Sequence, residues 1–376
     1  MIQRDTMRWL AALGVTLILI GCADRSFAPL RPDAEGIGSP HDIFVATHRV
    51  PDGKGWYSTE RARTLSYTKV NVVVPPAHVA GEISNGLTNP DPAKDFTIAS
   101  KRDFTSPDLF HRDVASALNA LPRDQREVLV YVHGYNNSFF DGVFRAAQMK
   151  HDFDLPGITL HYSWPSAANP LGYTYDRDSV LFARDGLEHV LRDLRTSGAT
   201  RIVLMGHSLG TMLVMETLRQ IEIRTPGWSH DALGGVVLIS PDLDVDLFKT
   251  QAARFADFPE PFAIFVSSRD RALRLSARIN GDVERLGGLT SVAPLADYPV
   301  TIIDVSDFSD GDGARHFTVG TSPLLIGLLS QSEDLNTAFQ RDTAGRSGLL
   351  PGTVLTVRNA TQLIVSPGLI LQNLQN

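Results

Sequence analysis

A serine stands at the centre of Gly206-His207-Ser208-Leu209-Gly210, between the apolar run Ile202 to Met205 and the helix-like stretch Thr211 to Ile221. Strand, sharp turn and helix with a serine at the apex is the context in which a G-x-S-x-G elbow presents a nucleophilic hydroxyl. The flanking glycines have a steric role, because a tight turn strained at its apex leaves little room for a neighbouring Cβ. A serine hydroxyl is a poor nucleophile at neutral pH. It needs a general base within hydrogen-bond reach and a third group to orient that base.

Two histidines lie C-terminal to Ser208, and their settings differ. His230 sits in the polar stretch Pro226 to Asp231 and reads as a solvated loop residue. His316 follows the strand-like Val300 to Val305, after the small and polar run Ser306 to Arg315. Loops at strand C-termini are where an open α/β sheet builds its site, so His316 is the expected base. Two acids qualify. Asp270 directly follows one apolar run and opens a helix; Asp242, in Ser240-Pro241-Asp242, follows the preceding run. Either suits a helix N-cap. The chain order Ser, Asp, His, with the acid one strand before the histidine, favours Asp270 and leaves Asp242 as the alternative.

Such chemistry also needs backbone N–H groups aimed at a developing oxyanion. The expected donors are Leu209, next to the nucleophile, and Tyr135, in the loop after the strand ending at His133-Gly134. Gly134 would let that loop approach the substrate. His133 reads as a structural loop histidine, Asn136 and Asn137 as turn residues bonded within the loop. His207 should point into packing or the pocket wall, and Trp164 and Tyr135 are candidates to line an acyl pocket. The chemistry requires no metal and no organic cofactor.

The elements that must hold these residues alternate. Continuous apolar runs at Val128 to Val132, Ile158 to Tyr162, Ile202 to Met205, Gly235 to Ile239, Phe262 to Val266 and Val300 to Val305 read as strands buried on both faces. Helical spacing separates them: Phe110 to Leu121, about 139 to 151 with Ser138 and Asp141 as a capping pair, 176 to 195, and Ala272 to Ile279. The expected class is α/β, a mostly parallel central sheet flanked by helices on both faces. Upstream, His41 to Thr47 and Tyr67 to Val74 read as strands and Pro90 to Pro107 as a loop. Downstream, Ser322 to Ser330 reads as a helix. From 334 to 376 the tail, with apolar patches Val354 to Val357 and Leu363 to Leu371, is open to a strand pair, a packed helix or a membrane contact.

The N-terminus reads differently. Arg4 and Arg8 precede an apolar run from Trp9 to Ile20, and Leu19-Ile20-Gly21 leads into Cys22. The run is shorter than the span of about 20 residues that a membrane crossing needs, and it suits a signal peptide over 1–21. Its ending resembles a bacterial lipobox, which implies a lipid on Cys22, the sole cysteine. With Ala23 following, the resemblance leans toward the outer membrane of a Gram-negative envelope. Residues 22–40, rich in Pro, Gly and charge, are expected to be a tether, and 41–333 the folded domain. A net charge of −7 gives no footprint for nucleic acid, so the expected partners are a small-molecule or lipid ester and a membrane.

Taken together, Val132-His133-Gly134-Tyr135-Asn136-Asn137, Ser163-Trp164-Pro165-Ser166, the Ser208 elbow, Ser240-Pro241-Asp242 and Asp270-Arg271-Ala272-Leu273 resemble the α/β-hydrolase superfamily. More narrowly, they resemble a bacterial esterase- or lipase-like family of largely unassigned substrate. The resemblance implies the α/β-hydrolase fold, Ser208 as nucleophile, Asp270 as acid and His316 as base. Ester cleavage through an acyl-enzyme is the leading expectation. An amidase, thioesterase or acyltransferase would use the same parts, and a non-catalytic envelope lipoprotein could keep the fold for binding.

Overall fold

The computed structural model describes residues 28–86, 88–308, 316–330 and 352–365. The expected signal peptide and Cys22 lie outside them. The elements in chain order are β1 (Ser39–Pro51), β2 (Tyr57–Val74), β3 (Thr97–Phe104), α1 (Pro107–Asn119), β4 (Glu127–Val132), α2 (Phe139–Asp152), β5 (Ile158–Ser163), α3 (Tyr173–Thr196), β6 (Arg201–His207), α4 (Gly210–Arg224), β7 (Gly235–Ile239), α5 (Val245–Ala252), β8 (Phe262–Val266), α6 (Arg271–Ile279), β9 (Thr301–Asp304), α7 (Pro323–Ser330), β10 (Gly352–Val357) and β11 (Ala360–Val365). The strands form one sheet in the order β10-β11-β9-β8-β7-β6-β4-β5-β1-β2-β3. From β11 to β1 neighbours run parallel, while β10, β2 and β3 are antiparallel additions at the two edges.

The central strands read as continuous apolar runs because each feeds two cores. In β4, Val128, Val130 and Val132 face the core shared with α1, α3 and α4, whereas Leu129 and Tyr131 face the core shared with α2. The stripe Val180, Ala183, Leu187, Leu191 and Leu194 of α3 is buried on the first core, as its spacing requires. The expected capping pair starts α2. Ser138 Oγ accepts from the Asp141 N–H at 3.2 Å and Asp141 Oδ2 accepts from the Ser138 N–H at 2.8 Å, which contributes about 1 kcal/mol. Among the described residues no helix is long and apolar enough to cross a membrane.

Three expectations change at the edges. The stretch from Pro90 to Pro107 contains β3, in which buried Thr97, Ile98 and Ala99 give way to the charged Lys101, Arg102 and Asp103; an edge strand facing water reads as a loop. The tether does not extend to residue 40. The Arg31 N–H bonds the Ile98 carbonyl at 2.8 Å and Ala34 is fully buried, so the chain packs on the sheet before β1 begins. Of the tail's alternatives, residues 352–365 form a strand pair, and β11 covers the edge of β9.

On β5, His161 is fully buried under α2, where a Cβ on Gly142 would stand 2.2 Å from its Nε2. Burial pushes His161 down to about 3, and fully buried His133 and half-buried His207 also fall well below the usual 6.5, desolvation leading in both. The unfolded chain therefore binds more protons in this window, and stability is fully present above about pH 6.5 and lost as pH falls toward 3. Each such group steepens the loss by up to about 1.4 kcal/mol per pH unit. Urea unfolding should show lower stability at about pH 5.5 than at about pH 7.5. His161→Gln should flatten that slope, and an unchanged slope would contradict the assignment.

Candidate active site

The loops that leave the C-terminal ends of β4, β6, β7 and β8 gather at one end of the parallel sheet, where a site in such a fold is built. Ser208 follows β6 with φ of 53°, in the left-handed region that a serine rarely occupies. Its backbone is tied down on both sides. The Ser208 N–H donates to the Ile239 carbonyl at 3.0 Å, and the Ser208 carbonyl accepts from the Thr211 N–H at 3.0 Å and from the Asp242 N–H at 3.3 Å. The glycines of the elbow are a packing requirement. A Cβ on Gly210 would stand 2.2 Å from the His133 carbonyl oxygen, and one on Gly134 would stand 2.8 Å from Ser208 Cβ. The loop after β4 thus lies against the Ser208 turn. Tyr135 and Leu209, the expected oxyanion donors, each follow one of these touching residues.

His316 reaches the same place from beyond β9. Its Nδ1 lies 2.7 Å from Asp270 Oδ2. Asp270 is almost fully buried, and its other oxygen accepts from the Leu273 N–H at 3.0 Å, capping α6. One carboxylate therefore serves as helix cap and histidine partner together. The His316 ring is 5.0 Å from that of His207, whose Nε2–H reaches the His316 carbonyl at 3.3 Å and whose ring meets Phe317 edge-on at 4.5 Å. Burial, and then the nearby His316, holds His207 well below its usual value, which suits a neutral ring that props the His316 backbone.

Asp242 is engaged elsewhere. Ser276 Oγ donates to it at 2.6 Å, the Tyr173 hydroxyl donates at 2.9 Å, and Arg285 Nε stands at 3.3 Å. The structure brings Asp270, and not Asp242, to His316. His230 is exposed, with Nδ1 2.8 Å from the Phe258 carbonyl.

The loop after β4 rests on His133 and Trp164 and on two residues that the sequence pattern did not single out, Arg49 and Asp176. His133 is fully buried and stacks on Trp164, with centroids 4.7 Å apart and planes at 12°. Trp164 Nε1–H donates to the His133 carbonyl at 2.7 Å. Trp164 is therefore a floor beneath the loop and does not line an acyl pocket. Tyr135 does stay at the rim, half-buried, its hydroxyl donating to the Pro170 carbonyl. Asn136, at φ 56°, donates its N–H to Asp176 Oδ2 at 3.1 Å, and Asn137 Nδ2 bonds the Tyr135 carbonyl at 2.8 Å. Arg49, fully buried, donates to the Asn137 carbonyl at 2.8 Å and to the Ser166 carbonyl at 3.1 Å. Burial pulls Arg49 down to about 10, with Asp176 opposing the fall, and burial raises Asp176. Both carried a faint signal. Asp176 stands four residues before Val180, in register with the apolar stripe of α3, and Arg49 continues the inward alternation Val45, Thr47 of β1.

Residues 110–332 match a family described as an alpha/beta hydrolase of unknown function (DUF900). The chain belongs to that family. The matched span takes in the whole site, from α1 to the end of α7. No curated protein matches the sequence. Solved structures similar to the hydrolase include a CIB-like hydrolase from Thermoplasma acidophilum, 16% identical over 56% of this chain and 89% of that one, with a TM-score of 0.33. A thermostable esterase from Pseudomonas putida is 12% identical over 71% and 77% of the two chains, with a TM-score of 0.35. One of two fungal esterases from Rhizomucor miehei is 12% identical over 80% and 83%, with a TM-score of 0.36.

Overpacking at the elbow should be felt directly. Gly210→Ala drives a methyl into backbone and is expected to lower the hydrolase's unfolding free energy by about 1–3 kcal/mol. Gly36→Ala, with nothing within 4 Å of the added Cβ, should stay within about 0.5 kcal/mol of wild type. Equal urea midpoints for the two variants would contradict the close approach.

Proposed function

We propose that this hydrolase cleaves carboxylic esters by nucleophilic catalysis, with Ser208 as nucleophile, His316 as base and Asp270 as its orienting acid. The observation that carries the reading is the 2.7 Å contact between His316 Nδ1 and buried Asp270, made beside the strained Ser208 turn. With Nδ1 bound to the carboxylate, Nε2 is the nitrogen left to accept the Ser208 proton. Ser208 Oγ attacks the ester carbonyl carbon, and the developing oxyanion takes hydrogen bonds from the Leu209 and Tyr135 N–H groups. His316 returns the proton to the departing alkoxide, leaving an acyl-serine. Water, deprotonated by the same imidazole, then releases the acid. Each step uses groups of this chain alone, with no metal or organic cofactor in a role.

The test is a fluorophosphonate probe together with a chain-length series of nitrophenyl esters. The probe should label Ser208, and Ser208→Ala should abolish both labelling and turnover. Asp270→Asn should cut kcat about 10⁴-fold by favouring the wrong imidazole tautomer. Asp242→Asn should leave turnover within about tenfold, since its carboxylate is taken up by Tyr173, Ser276 and Arg285 and it meets Ser208 only through a backbone N–H that the substitution keeps. A wild-type chain that neither labels nor turns over any ester would remove the proposal, and loss of activity in Asp242→Asn alone would move the acid.

The lipobox-like ending adds a place of action. Cleavage before Cys22 and its lipidation would tether the hydrolase to the cell envelope, on the outer membrane side of a Gram-negative cell. Cells grown with a labelled fatty acid should label the wild type and not Cys22→Ala. Equal incorporation into both would exclude the anchor.

A further inference from the structure

At the end of the sheet where the parallel strands begin, opposite Ser208, three imidazoles and a carboxylate converge. His41 lies near the start of β1, His78 in the connection after β2, and His151 and Asp152 in the last turn of α2. The topology explains the meeting. α2 leaves the C-terminal end of β4 and runs back along the sheet, so its last turn reaches the end where the parallel strands begin. β1 enters at that end, since Ile43 pairs with Thr159 at the start of β5.

The polar atoms face one another. His41 Nε2 and His151 Nδ1 are 3.0 Å apart, and His78 Nε2 and Asp152 Oδ1 are 2.6 Å apart. Donor atoms of His78, His151 and Asp152 all lie within 4.8 Å of one another. The His151 ring stands 5.2 Å from that of His41 and 5.5 Å from that of His78.

We propose that His78, His151 and Asp152, with His41 backing them through its contact with His151, form a binding site for a divalent transition-metal ion of the zinc type. Imidazole nitrogens with a carboxylate oxygen are the donor set that zinc and its neighbours take, and one that magnesium and calcium avoid. In a tetrahedral site with bonds of about 2.0–2.1 Å, neighbouring donors stand about 3.3 Å apart; the 2.6 and 3.0 Å contacts would have to open by a few tenths of an ångström to admit the ion. The carboxylate is held from behind. Asp152 Oδ2 accepts from the Gly81 N–H at 2.7 Å and from Gln148 Nε2 at 2.5 Å, the kind of outer bond that fixes a ligating group. Lys150, the nearest cation on α2, is turned away onto the Leu155 and Gly157 carbonyls. An ion here would fasten the connection from Pro75 to Phe96 to α2.

The alternative is that two hydrogen bonds alone hold the four side chains, and zinc titration separates the two. The untagged full chain, stripped with a chelator, is dialysed against zinc or magnesium, and bound metal and melting temperature are measured. The expected result is one zinc per chain, a raised melting temperature with zinc and none with magnesium. His151→Gln and His78→Gln should each weaken zinc binding at least about tenfold and remove the zinc-dependent rise. His189→Gln should change neither; it disrupts a separate group in which His111 and His189 each stand 3.1 Å from Asp193. Where a glutamine variant does not fold, His41→Gln takes its place, with circular dichroism as the check. No zinc on the wild type, binding that survives the His151 and His78 changes, or binding that disappears with His189→Gln would each overturn the proposal.

Discussion

Ser208 is held at φ 53°, in a conformation that costs a non-glycine residue on the order of 1–3 kcal/mol, and the surrounding strands are arranged so that it cannot relax. β6 lies between β4 and β7. From β7 the Ile239 carbonyl takes the serine's N–H, and from the turn beyond it Asp242 reaches the serine's carbonyl. Ser240 in that turn is itself left-handed, at φ 45°, so two neighbouring strands end in matched strained turns. From the β4 side the pressure is steric, because the His133-Gly134 backbone fills the space that side chains at 134 and 210 would need. The chain passes from β4 to β5 on one side and from β6 to β7 on the other. That reversal opens the crevice between the two loops.

The β4 loop could not hold its position by its own turn chemistry. It is bracketed by a buried guanidinium on the Asn137 carbonyl and a buried carboxylate on the Asn136 N–H. Burying such charges costs several kcal/mol per ion before their partners are counted. Arg49 recovers part of this through Ser163, Ser58, Ser166 and Asn137, and Asp176 through Ser166, Ala167 and Asn136. An apolar pair of similar volume would be no less stable by this reasoning. What the polar pair supplies is direction, fixing the backbone of the two residues that follow Tyr135.

The parts that could be read from the sequence are those where one physical requirement dominates. Strands such as Val128 to Val132 must be apolar on both faces, so their type and order were plain. The Ser208 elbow and the order Ser208, Asp270, His316 follow from chain topology, which is one-dimensional information. Distances were not legible: Asp242 and Asp270 occupy equivalent positions after adjacent strands, and only the fold shows Asp242 taken up by Tyr173, Ser276 and Arg285. Edge strands were missed because water replaces one core. In β3 Lys101 and Arg102 look like loop residues until Val70 and Lys69 are found opposite them. Trp164 was misread for a related reason, since an aromatic after a strand gives no sign of whether it faces substrate or, as here, the underside of a loop.

One helix connects the two ends of the molecule. α2 starts at its capping box beside the β4 loop, where the partial positive charge of its N-terminus lies, and ends at His151 and Asp152, where the partial negative charge favours a cation. Midway, Arg145 ties it to both flanking segments, bonding the Gly81 carbonyl at 3.4 Å and the Gly320 carbonyl at 3.2 Å and lying over the Phe317 ring at 4.8 Å. Gly81 is where these paths meet. Its N–H is bound by Asp152, its carbonyl by Arg145, and at φ 88° a Cβ there would press within 2.6 Å of the Thr321 carbonyl. The segment that carries His316 onto Asp270 is therefore braced by the same helix and the same glycine that brace the histidine cluster. Contact of this kind becomes energetic coupling only if the segment has two arrangements that both ends can bias. Gly81 touches both ends of that brace, so a shift of its backbone would strain the Asp152 bond on the cluster side and the Arg145 bond on the side of the His316 segment.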